Sequence, residues 1–424
     1  MQYCAARLIY LLNFCTTDQG RCSTHVCILL APRLETKLSN THTSLRTLFI
    51  ACTLFSSSSY AQTPADITDL LLVTGQSNVQ GSGTSYDPVF DAVDPRVFAY
   101  TSNNKWEVAD LHQAWDMDGW HPGNGSLSDS ARRPYNSFAF HAARTIVQQD
   151  PSRVVGIVIG SAPGEGIEHW DSCGSFFNQV SDKAQEALDA QGVKTQFDGI
   201  LWHQGESDWQ VLGTSDVDAT SRERAYAEYY PEKLSELMQN FRDQSWFGSN
   251  RAFICGETFR SPVNARLNEL NNDSSEWTAC AAGSDLSTRD GIHFDAAGLR
   301  TLGQRYGEVY LNIQRTASVD NSNPDVTITG PAFDGATKSR SALYSGSATD
   351  SASGVDTVRV AIQDDQSGMW FDFINEEFGD CFGSIRADLA DTASSVKPWS
   401  ISVDLPDGSY TINARSVDAT GNTN

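Results

Sequence analysis

Residues 71–78 read Leu71-Leu72-Val73-Thr74-Gly75-Gln76-Ser77-Asn78, an apolar run that stops at a glycine and is followed at once by polar side chains. Short apolar runs bounded by turn residues are typical of strands that are buried on both faces, as in parallel sheets. Ligands of open α/β sheets bind where the chain leaves the carboxyl end of such strands. Ser77 is therefore a candidate nucleophile, although a serine in such a turn is more often a helix cap.

Further along the chain, short apolar runs alternate with amphipathic segments. This alternation predicts one α/β domain over residues 62–315, with three layers (α/β/α) around a parallel sheet. The predicted strands are 69–74, 153–160, 199–202, 252–255 and 277–281. The predicted helices are 136–149, 178–191, 221–242 and 295–314, the last of them capped by Asp295. Residues 100–133 follow neither period and are a candidate binding loop.

After residue 315 the character of the sequence changes. A polar linker is predicted over 316–324, and 325–424 alternate Thr, Ser, Val and Asp with turn residues, which predicts an all-β sandwich. Three segments resemble a bacterial immunoglobulin-like module: 347–350, 405–410 and 416–422. The sequence ends just after Gly421-Asn422, where such a module normally adds another strand, so we expect the module to be truncated.

The composition is globular but strongly acidic. The 424 residues carry 30 basic and 53 acidic side chains, a formal net charge of -23. Phosphate backbones and anionic membrane surfaces would repel such a chain, so nucleic acid is not an expected partner. The simplest interpretation of the acidity is a solvated surface that favours solubility.

The first 61 residues are interpreted as a leader. Residues 44–61 pass from a basic residue through an apolar run to small residues, which is the order of a secretory signal peptide. The apolar run at 48–55 is much shorter than the ~20 residues that span a bilayer, so we expect no membrane insertion of the mature protein. These features predict a secreted or periplasmic bacterial protein. Either its start site is assigned too far upstream, or it has an unusually long leader.

Removal of the leader would leave four of the nine cysteines. An even number in an exported chain indicates disulfides, and Cys255 and Cys280 end two adjacent predicted strands, so we expect them to pair. The spacings contain no CxxC or histidine-rich cluster, so they do not support a structural zinc site. We expect no metal and no other cofactor.

Asp290 and His293 form a second candidate group, just before the last predicted helix. An Asp three residues before a His, with a glycine between them, can fold back and supply both a base and the carboxylate that orients it. The alternative is an Asx turn that carries a surface histidine. Asp295 is the rival acid, but its position favours a helix cap.

Two polar blocks follow other predicted strands. Residues 202–208 read Trp-His-Gln-Gly-Glu-Ser-Asp, and residues 160–170 contain Gly164 and Gly166, which let backbone N–H groups approach a ligand closely. Because the carboxyl ends of parallel strands meet at one edge of a sheet, we expect these blocks to gather near Ser77.

The three motifs at 75–78, 202–208 and 290–293 resemble those of the SGNH hydrolases, above all the branch of sialate O-acetylesterases and family six acetylxylan esterases. The resemblance covers roughly residues 70–311. It implies a flavodoxin-like parallel sheet, with Ser77 as nucleophile, His293 as base and Asp290 as the acid that orients it. It also implies an oxyanion hole formed by Ser77 N–H, the backbone of Gly164, with Gly166 as the alternative, and the Gln204 side chain.

From the same motifs we predict four substrate-binding residues: Gln76, Asn78, Glu206 and Trp170. Glu206 also has a structural interpretation, as a buried hydrogen-bonding anchor. The other tryptophans near the motifs, which could stack on sugar rings or pack in the core, are Trp115, Trp120 and Trp209.

The resemblance implies an exported carbohydrate O-acetylesterase whose partner is an acetylated carbohydrate. Two alternatives stay open: a lipid or general carboxylester hydrolase of the same superfamily, and a catalytically inactive carbohydrate-binding or surface-adhesion protein.

Overall fold

The computed structural model describes residues 9–15, 22–28, 62–81, 87–101, 104–111, 136–213, 221–259, 261–270, 277–331, 341–390 and 395–424. It divides the chain into two compact units, Met1–Ala61 and Gln62–Asn424. Within the first unit, β1 (Ile9–Cys15) pairs antiparallel with β2 (Cys22–Ile28). The predicted signal segment 44–61 lies outside the described residues.

The second unit begins with an α/β part. In chain order its elements are β3 (Asp69–Gly75), α1 (Ser77–Gln80), β4 (Val97–Tyr100), β5 (Trp106–Val108), α2 (Phe138–Gln149), β6 (Val155–Ser161), α3 (Ser175–Gln191), β7 (Gly199–His203), α4 (Glu206–Gly213), α5 (Ser221–Glu228), α6 (Tyr230–Arg242), β8 (Ala252–Gly256), α7 (Val263–Leu270), β9 (Thr278–Ala281) and α8 (Ala296–Thr316).

The strands of this part form one sheet in the order β5-β4-β6-β3-β7-β8-β9, in which β5 alone runs antiparallel to its neighbour. The central strand β3 is buried along its whole length. Leu70 and Leu72 face the core beneath α3 and α6, whereas Leu71 and Val73 face the core beneath α2 and α8. Full burial of each such side chain contributes about 1.5–3 kcal/mol. The predicted α/β fold is confirmed.

The helices differ from the prediction at several points. Residues 221–242 form two helices rather than one, because Pro231 lacks an N–H and its ring crowds the carbonyl four residues earlier. Helices α4 and α7 were not predicted. Asp295 caps α8 as expected, since its carboxylate accepts the Gly298 N–H at 2.8 Å. None of the helices in the described ranges combines the length and hydropathy needed to span a membrane.

The long loop predicted at 100–133 contains strand β5 near its start. Most of that prediction, including Trp115 and Trp120, falls at 112–135 and lies outside the described residues.

The remainder of the second unit is all-β. Its strands are β10 (Asp325–Gly330), β11 (Ser341–Thr349), β12 (Val355–Asp364), β13 (Trp370–Asp372), β14 (Glu377–Gly379), β15 (Ile385–Arg386), β16 (Asp388–Leu389), β17 (Val396–Asp404) and β18 (Tyr410–Asp418).

These strands pair antiparallel in two sheets. The first sheet has the order β10-β11-β17-β16, and the second has the order β14-β13-β12-β15, with β18 also paired to β12. One core between them contains Val358 and Val360 from β12 and Trp399 from β17. The predicted β sandwich is confirmed. Its assignment to the immunoglobulin-like type, and the domain boundaries at 315 and 325, stay predictions.

Two disulfides cross-link the second unit. One joins Cys255 to Cys280, the pair favoured from the sequence. The other joins Cys173, just before α3, to Cys381 in the β sandwich, with Cα atoms 5.3 Å apart at a sequence separation of 208.

Two partly buried ion pairs support the same junction. Arg359 of the sandwich donates to Glu232 of α6 at 3.1 Å, and Arg386 donates to the other oxygen of that carboxylate at 2.8 Å. Burial favours the neutral form of Glu232, but the two guanidinium groups outweigh it and hold the pKa of Glu232 below its usual value. The α/β part and the sandwich are therefore joined by both covalent and ionic contacts.

Loss of the long-range disulfide should destabilise the protein markedly. In the chain-entropy account, a bridge that closes 208 residues stabilises by about 5 kcal/mol and one that closes 25 residues by about 3.5 kcal/mol. We expect the Cys173→Ala/Cys381→Ala variant to lose about 2–5 kcal/mol of unfolding free energy, measured by denaturant titration under oxidising conditions. An unchanged unfolding midpoint would contradict this expectation.

Candidate active site

Ser77 lies at the carboxyl end of the central strand β3, as the first residue of the short helix α1. Gly75, two residues earlier, has φ of +136°, and a Cβ at this position would lie 2.0 Å from His203 O on β7. Glycine alone tolerates both conditions. The chain therefore leaves the sheet directly before Ser77, next to the ends of β6 and β7.

Asp290 and His293 lie in the tight turn before α8. One carboxylate oxygen of Asp290 accepts the backbone N–H groups of Ile292 at 3.0 Å and His293 at 2.7 Å. Gly291, which follows Asp290 in this turn, has a φ of +88°, a backbone conformation that favours glycine. The turn thus folds the Asp290 side chain back onto His293.

The three side chains form a continuous hydrogen-bonded chain. His293 Nδ1 lies 2.8 Å from Asp290 Oδ2, and His293 Nε2 lies 2.9 Å from Ser77 Oγ. Burial favours the neutral form of Asp290, but hydrogen bonds from the His293 backbone and ring and from Ile292 outweigh it and lower its pKa to about 2. At neutral pH the ionised Asp290 accepts Nδ1–H, which leaves Nε2 free to accept the Ser77 hydroxyl proton.

Asn78 connects the serine turn to the histidine turn. Its side-chain oxygen accepts the Phe294 N–H at 3.0 Å, and its amide nitrogen donates to Ile292 O at 3.3 Å and to Glu206 Oε1 at 2.5 Å. Asn78 is 2% exposed, so these bonds do not compete with water. Asn78 therefore holds the residues on both sides of His293.

Glu206 and His203 extend this contact into the core. His203 Nε2 lies 3.4 Å from Glu206 Oε1, and His203 Nδ1 lies 3.2 Å from the Tyr306 hydroxyl, which donates to Trp202 O at 2.6 Å. Burial favours the neutral form of Glu206, but contacts with His203 and Asn78 outweigh it and keep its pKa below its usual value. The buried Glu206 carboxylate, held by these contacts, in turn fixes the position of the Asn78 side chain.

Gln76 joins the serine turn to helix α4. Its side-chain oxygen accepts the backbone N–H groups of Gly205 at 3.0 Å and Glu206 at 3.1 Å, and its nitrogen donates to Ser207 Oγ at 2.7 Å. The N–H groups at the start of a helix have no partner within the helix. Gln76 supplies one, and so fixes α4 against Ser77.

The structure shows where the four predicted substrate-binding residues lie. All four are buried, with exposed fractions of 1–3%: Gln76, Asn78, Glu206 and Trp170. The first three are engaged in the protein contacts described above. Trp170 packs against Trp202, with ring centroids 4.9 Å apart. Side chains with so little exposed surface make few contacts outside the protein, and the substrate-binding role of these four residues stays a prediction. For Glu206 this burial agrees with its structural interpretation.

Two of the residues expected at the oxyanion hole, Ser77 and Gly164, follow the adjacent strands β3 and β6. Ser77 N–H is the first of helix α1, where N–H groups point out of the helix. Gly164 is exposed, with φ of +82° and open space where a Cβ would stand. Gly166, the alternative, is buried, and a Cβ there would clash with Glu168. Gly164 is thus the more accessible of the two glycines.

Gln204 is fully buried next to the Gly164 loop. Its amide nitrogen donates to Glu165 O at 3.2 Å and to Asp208 Oδ2, whereas its side-chain oxygen accepts no hydrogen bond from the described residues. The side chain would have to release one of these partners, or rotate its amide, to donate to an oxyanion.

Asp208 is the supporting residue that the sequence analysis missed. Its carboxylate accepts the Ile167 N–H at 3.2 Å and the Gln204 amide, and so connects the glycine loop to Gln204. Burial raises its pKa to about 7, against the opposing effect of the Gln204 hydrogen bond. The sequence did contain an indication of this role, because Asp208 is the last residue of the polar block 202–208.

A comparison with protein families gives a match to this part of the chain. The family is described as SASA, carbohydrate esterase, sialic acid-specific acetylesterase, and it matches residues 67–312. The chain belongs to this family. The esterase match spans every residue of the Ser77 site described above. No curated protein matches the sequence.

Solved structures resemble the esterase chain at low identity. A protein from Arabidopsis thaliana is 17% identical, with a TM-score of 0.43, and the alignment covers 57% of this chain and 98% of that one. A carbohydrate acetylesterase from Xanthomonas citri is 15% identical, with a TM-score of 0.39, and the alignment covers 84% of this chain and 77% of that one.

Removal of the Asn78 side chain should impair the esterase site without unfolding it. The turns that carry Ser77 and His293 would lose their common hydrogen-bonding partner, and a misplacement of about 1 Å costs on the order of 10²-fold in turnover. We expect Asn78→Ala to lower kcat for p-nitrophenyl acetate by about this factor, with circular dichroism unchanged. Asn312→Ala, on the exposed face of α8, is the matched control. A folded Asn78→Ala variant with full kcat would refute the positioning role.

The raised pKa of Asp208 should make esterase stability depend on pH. Between pH 4 and 7 the folded state retains a proton that the unfolded chain, with an ordinary pKa near 3.8, has released. Stability therefore falls as pH rises across this range, by about 3 kcal/mol from this group. We expect the difference in unfolding free energy between wild type and Asp208→Asn to change by that amount between pH 4 and 7. A constant difference would show that Asp208 titrates normally.

Proposed function

We propose that this carbohydrate esterase is a serine O-acetylesterase that removes acetyl groups from acetylated sugars. The observation that carries the proposal is the hydrogen-bonded chain from Ser77 through His293 to Asp290, with distances of 2.9 and 2.8 Å. Membership of the carbohydrate esterase family supports the choice of an ester substrate.

In the proposed acylation step, His293 Nε2 takes the Ser77 hydroxyl proton while Ser77 Oγ attacks the acetyl carbonyl carbon. The ionised Asp290 stabilises the imidazolium that forms. The tetrahedral intermediate then collapses, the bond to the sugar oxygen breaks, and His293 returns the proton to that oxygen. The products are the free sugar hydroxyl and an acetylated Ser77.

In the proposed deacylation step, His293 takes a proton from water, whose oxygen attacks the acetyl carbon on Ser77. Collapse of the second intermediate releases acetate, and Ser77 Oγ regains a proton from His293. The net reaction consumes one water for each acetyl group.

The proposed oxyanion hole consists of Ser77 N–H, the backbone N–H of Gly164 and the Gln204 side chain. Asp208 would hold the last two in place, since it contacts Gln204 and the loop that follows Gly164. Loss of one such donor typically lowers turnover by about 10²–10³-fold.

Export is part of the proposal. The leader carries the signal-peptide pattern described above, and two disulfides join the four cysteines that follow it. Disulfides persist in oxidising compartments such as the periplasm and the extracellular space.

The nucleophile can be tested directly. We expect Ser77→Ala to lower acetate release from p-nitrophenyl acetate and from acetylated xylan by at least about 10³-fold, because no acyl-enzyme can form. Ser181→Ala is the matched control, since the Ser181 hydroxyl bonds to Phe177 O within α3. Unchanged acetate release by Ser77→Ala would rule out the proposed nucleophile.

The substrate class is tested with a panel of esters. An acetylesterase should cleave p-nitrophenyl acetate faster than the butyrate and octanoate esters, and should release acetate from acetylated xylan, O-acetylated sialic acid or acetylated pectin. Equal or faster cleavage of the long acyl chains would favour a general carboxylester hydrolase. Binding of these sugars without release of acetate would favour an inactive binding protein.

A further inference from the structure

A cavity lies between the α/β part and the β sandwich. Its volume is about 240 Å³, and its walls come from the segment after Trp170, from helices α5 and α6, and from residues 370–385 of the sandwich. A cavity of about 150 Å³ holds a benzene ring, so this one has room for a six-membered sugar ring with its hydroxyl groups. None of the described residues that line it belongs to the Ser77 site.

One wall of the cavity is aromatic. Trp370 and Phe382 pack edge to face, with ring centroids 4.9 Å apart. Phe382 is 37% exposed although it is strongly apolar, and Trp370 is half-buried. Rings held by one another and left open on one side offer a flat apolar surface, which suits the C–H face of a sugar.

Other residues of the lining carry polar groups that are held by hydrogen bonds. Lys233 is 8% exposed and bonds to Asp171 at 2.5 Å and to Glu236 at 2.8 Å. The Tyr226 hydroxyl donates to Asp372 at 2.6 Å. Apolar and aromatic side chains together with a few hydrogen-bonding groups in fixed positions are the usual composition of a small-molecule site.

The charge of the lining limits what the cavity can accept. Six carboxylates and one ammonium group line it: Asp171, Glu232, Glu236, Asp372, Glu377 and Asp380, with Lys233. Arg359 and Arg386 contact Glu232 from outside the lining, and with Lys233 they give three positive charges against six negative ones among these described residues. An anionic sugar such as a sialate or a uronate would be repelled, whereas a neutral sugar would not.

The disulfide to Cys173 holds the sandwich wall in place. Cys381 itself lines the cavity, next to Phe382, and its bond to Cys173 attaches this wall to the segment before α3. A wall that is already held does not have to be ordered when a ligand binds, so less free energy is lost on binding.

From these observations we infer that the interdomain cavity is a second carbohydrate-binding site, which takes a neutral sugar ring against Trp370 and Phe382. The inference rests on the proposed function in one respect: the polymer held here would be the one whose acetyl groups are removed at Ser77. The cavity would raise the local concentration of substrate without contacting the reacting atoms.

The test measures binding in the Ser77→Ala variant, so that no acetyl group is removed during the experiment. Affinity electrophoresis uses gels that contain xylan, mannan or a soluble β-glucan as neutral polymers, and polygalacturonate as the anionic one. We expect at least one neutral polymer to retard the protein and polygalacturonate not to. Trp370→Ala and Phe382→Ala, each added to Ser77→Ala, should weaken the retardation about tenfold.

Leu343→Ala is the matched control, because Leu343 is 59% exposed on β11, in the other sheet of the sandwich. Trp370→Tyr, which keeps an aromatic ring, should retain most of the binding. Three results would overturn the inference: no retardation by any neutral polymer, equal binding by the Trp370→Ala, Phe382→Ala and Leu343→Ala variants, or equal retardation by polygalacturonate.

Hydrolysis of p-nitrophenyl acetate separates this inference from the proposed function. With Ser77 intact, Trp370→Ala should hydrolyse this small ester at the wild-type rate and should show a higher KM for the acetylated polymer. Absence of hydrolysis by the wild-type protein would contradict the proposed function. The binding results above would still decide whether the cavity binds a sugar.

Discussion

The site depends on the hydrogen bonds that the buried side chain of Asn78 makes to the turn around His293. Ser77 and His293 are 216 positions apart in the chain, and Asn78 bonds to the backbone on both sides of the histidine while it adjoins the serine. Its third partner, Glu206, is held in turn by His203 within the core. The side chains of Ser77 and His293 are partly exposed, as access by a substrate requires, and the buried contacts of Asn78 beneath them set their positions.

Much of the α/β fold could be predicted because its strands are buried on both faces. The run that forms β3 is continuous and apolar, and few structures other than a covered parallel strand accommodate such a run between turn residues. The break between α5 and α6 was missed because the helical periodicity continues through it, although Pro231 lies in the first turn of the second helix. Helices α4 and α7 were missed because eight residues give too few repeats to define a period.

Within the site, the local turn of Asp290 and His293 was foreseeable, since its geometry depends on four consecutive residues. In contrast, the directions of side chains that come together from distant segments could not be predicted. Proximity to Ser77 suggested that Gln76 and Asn78 meet a ligand, but both side chains point inward, where backbone donors and Glu206 bind them. Asp208 belonged to a recognised polar block, but its hydrogen bond to Ile167 in the glycine loop joins segments that are distant in the sequence.

The bond between Cys173 and Cys381 also has a topological consequence. Together with the intervening chain it closes a covalent ring, and the linker from α8 to β10 lies within that ring. A protease that cuts the linker once opens the ring but does not release the sandwich. A protein built in this way keeps its two parts together after a single cleavage, for as long as its surroundings stay oxidising.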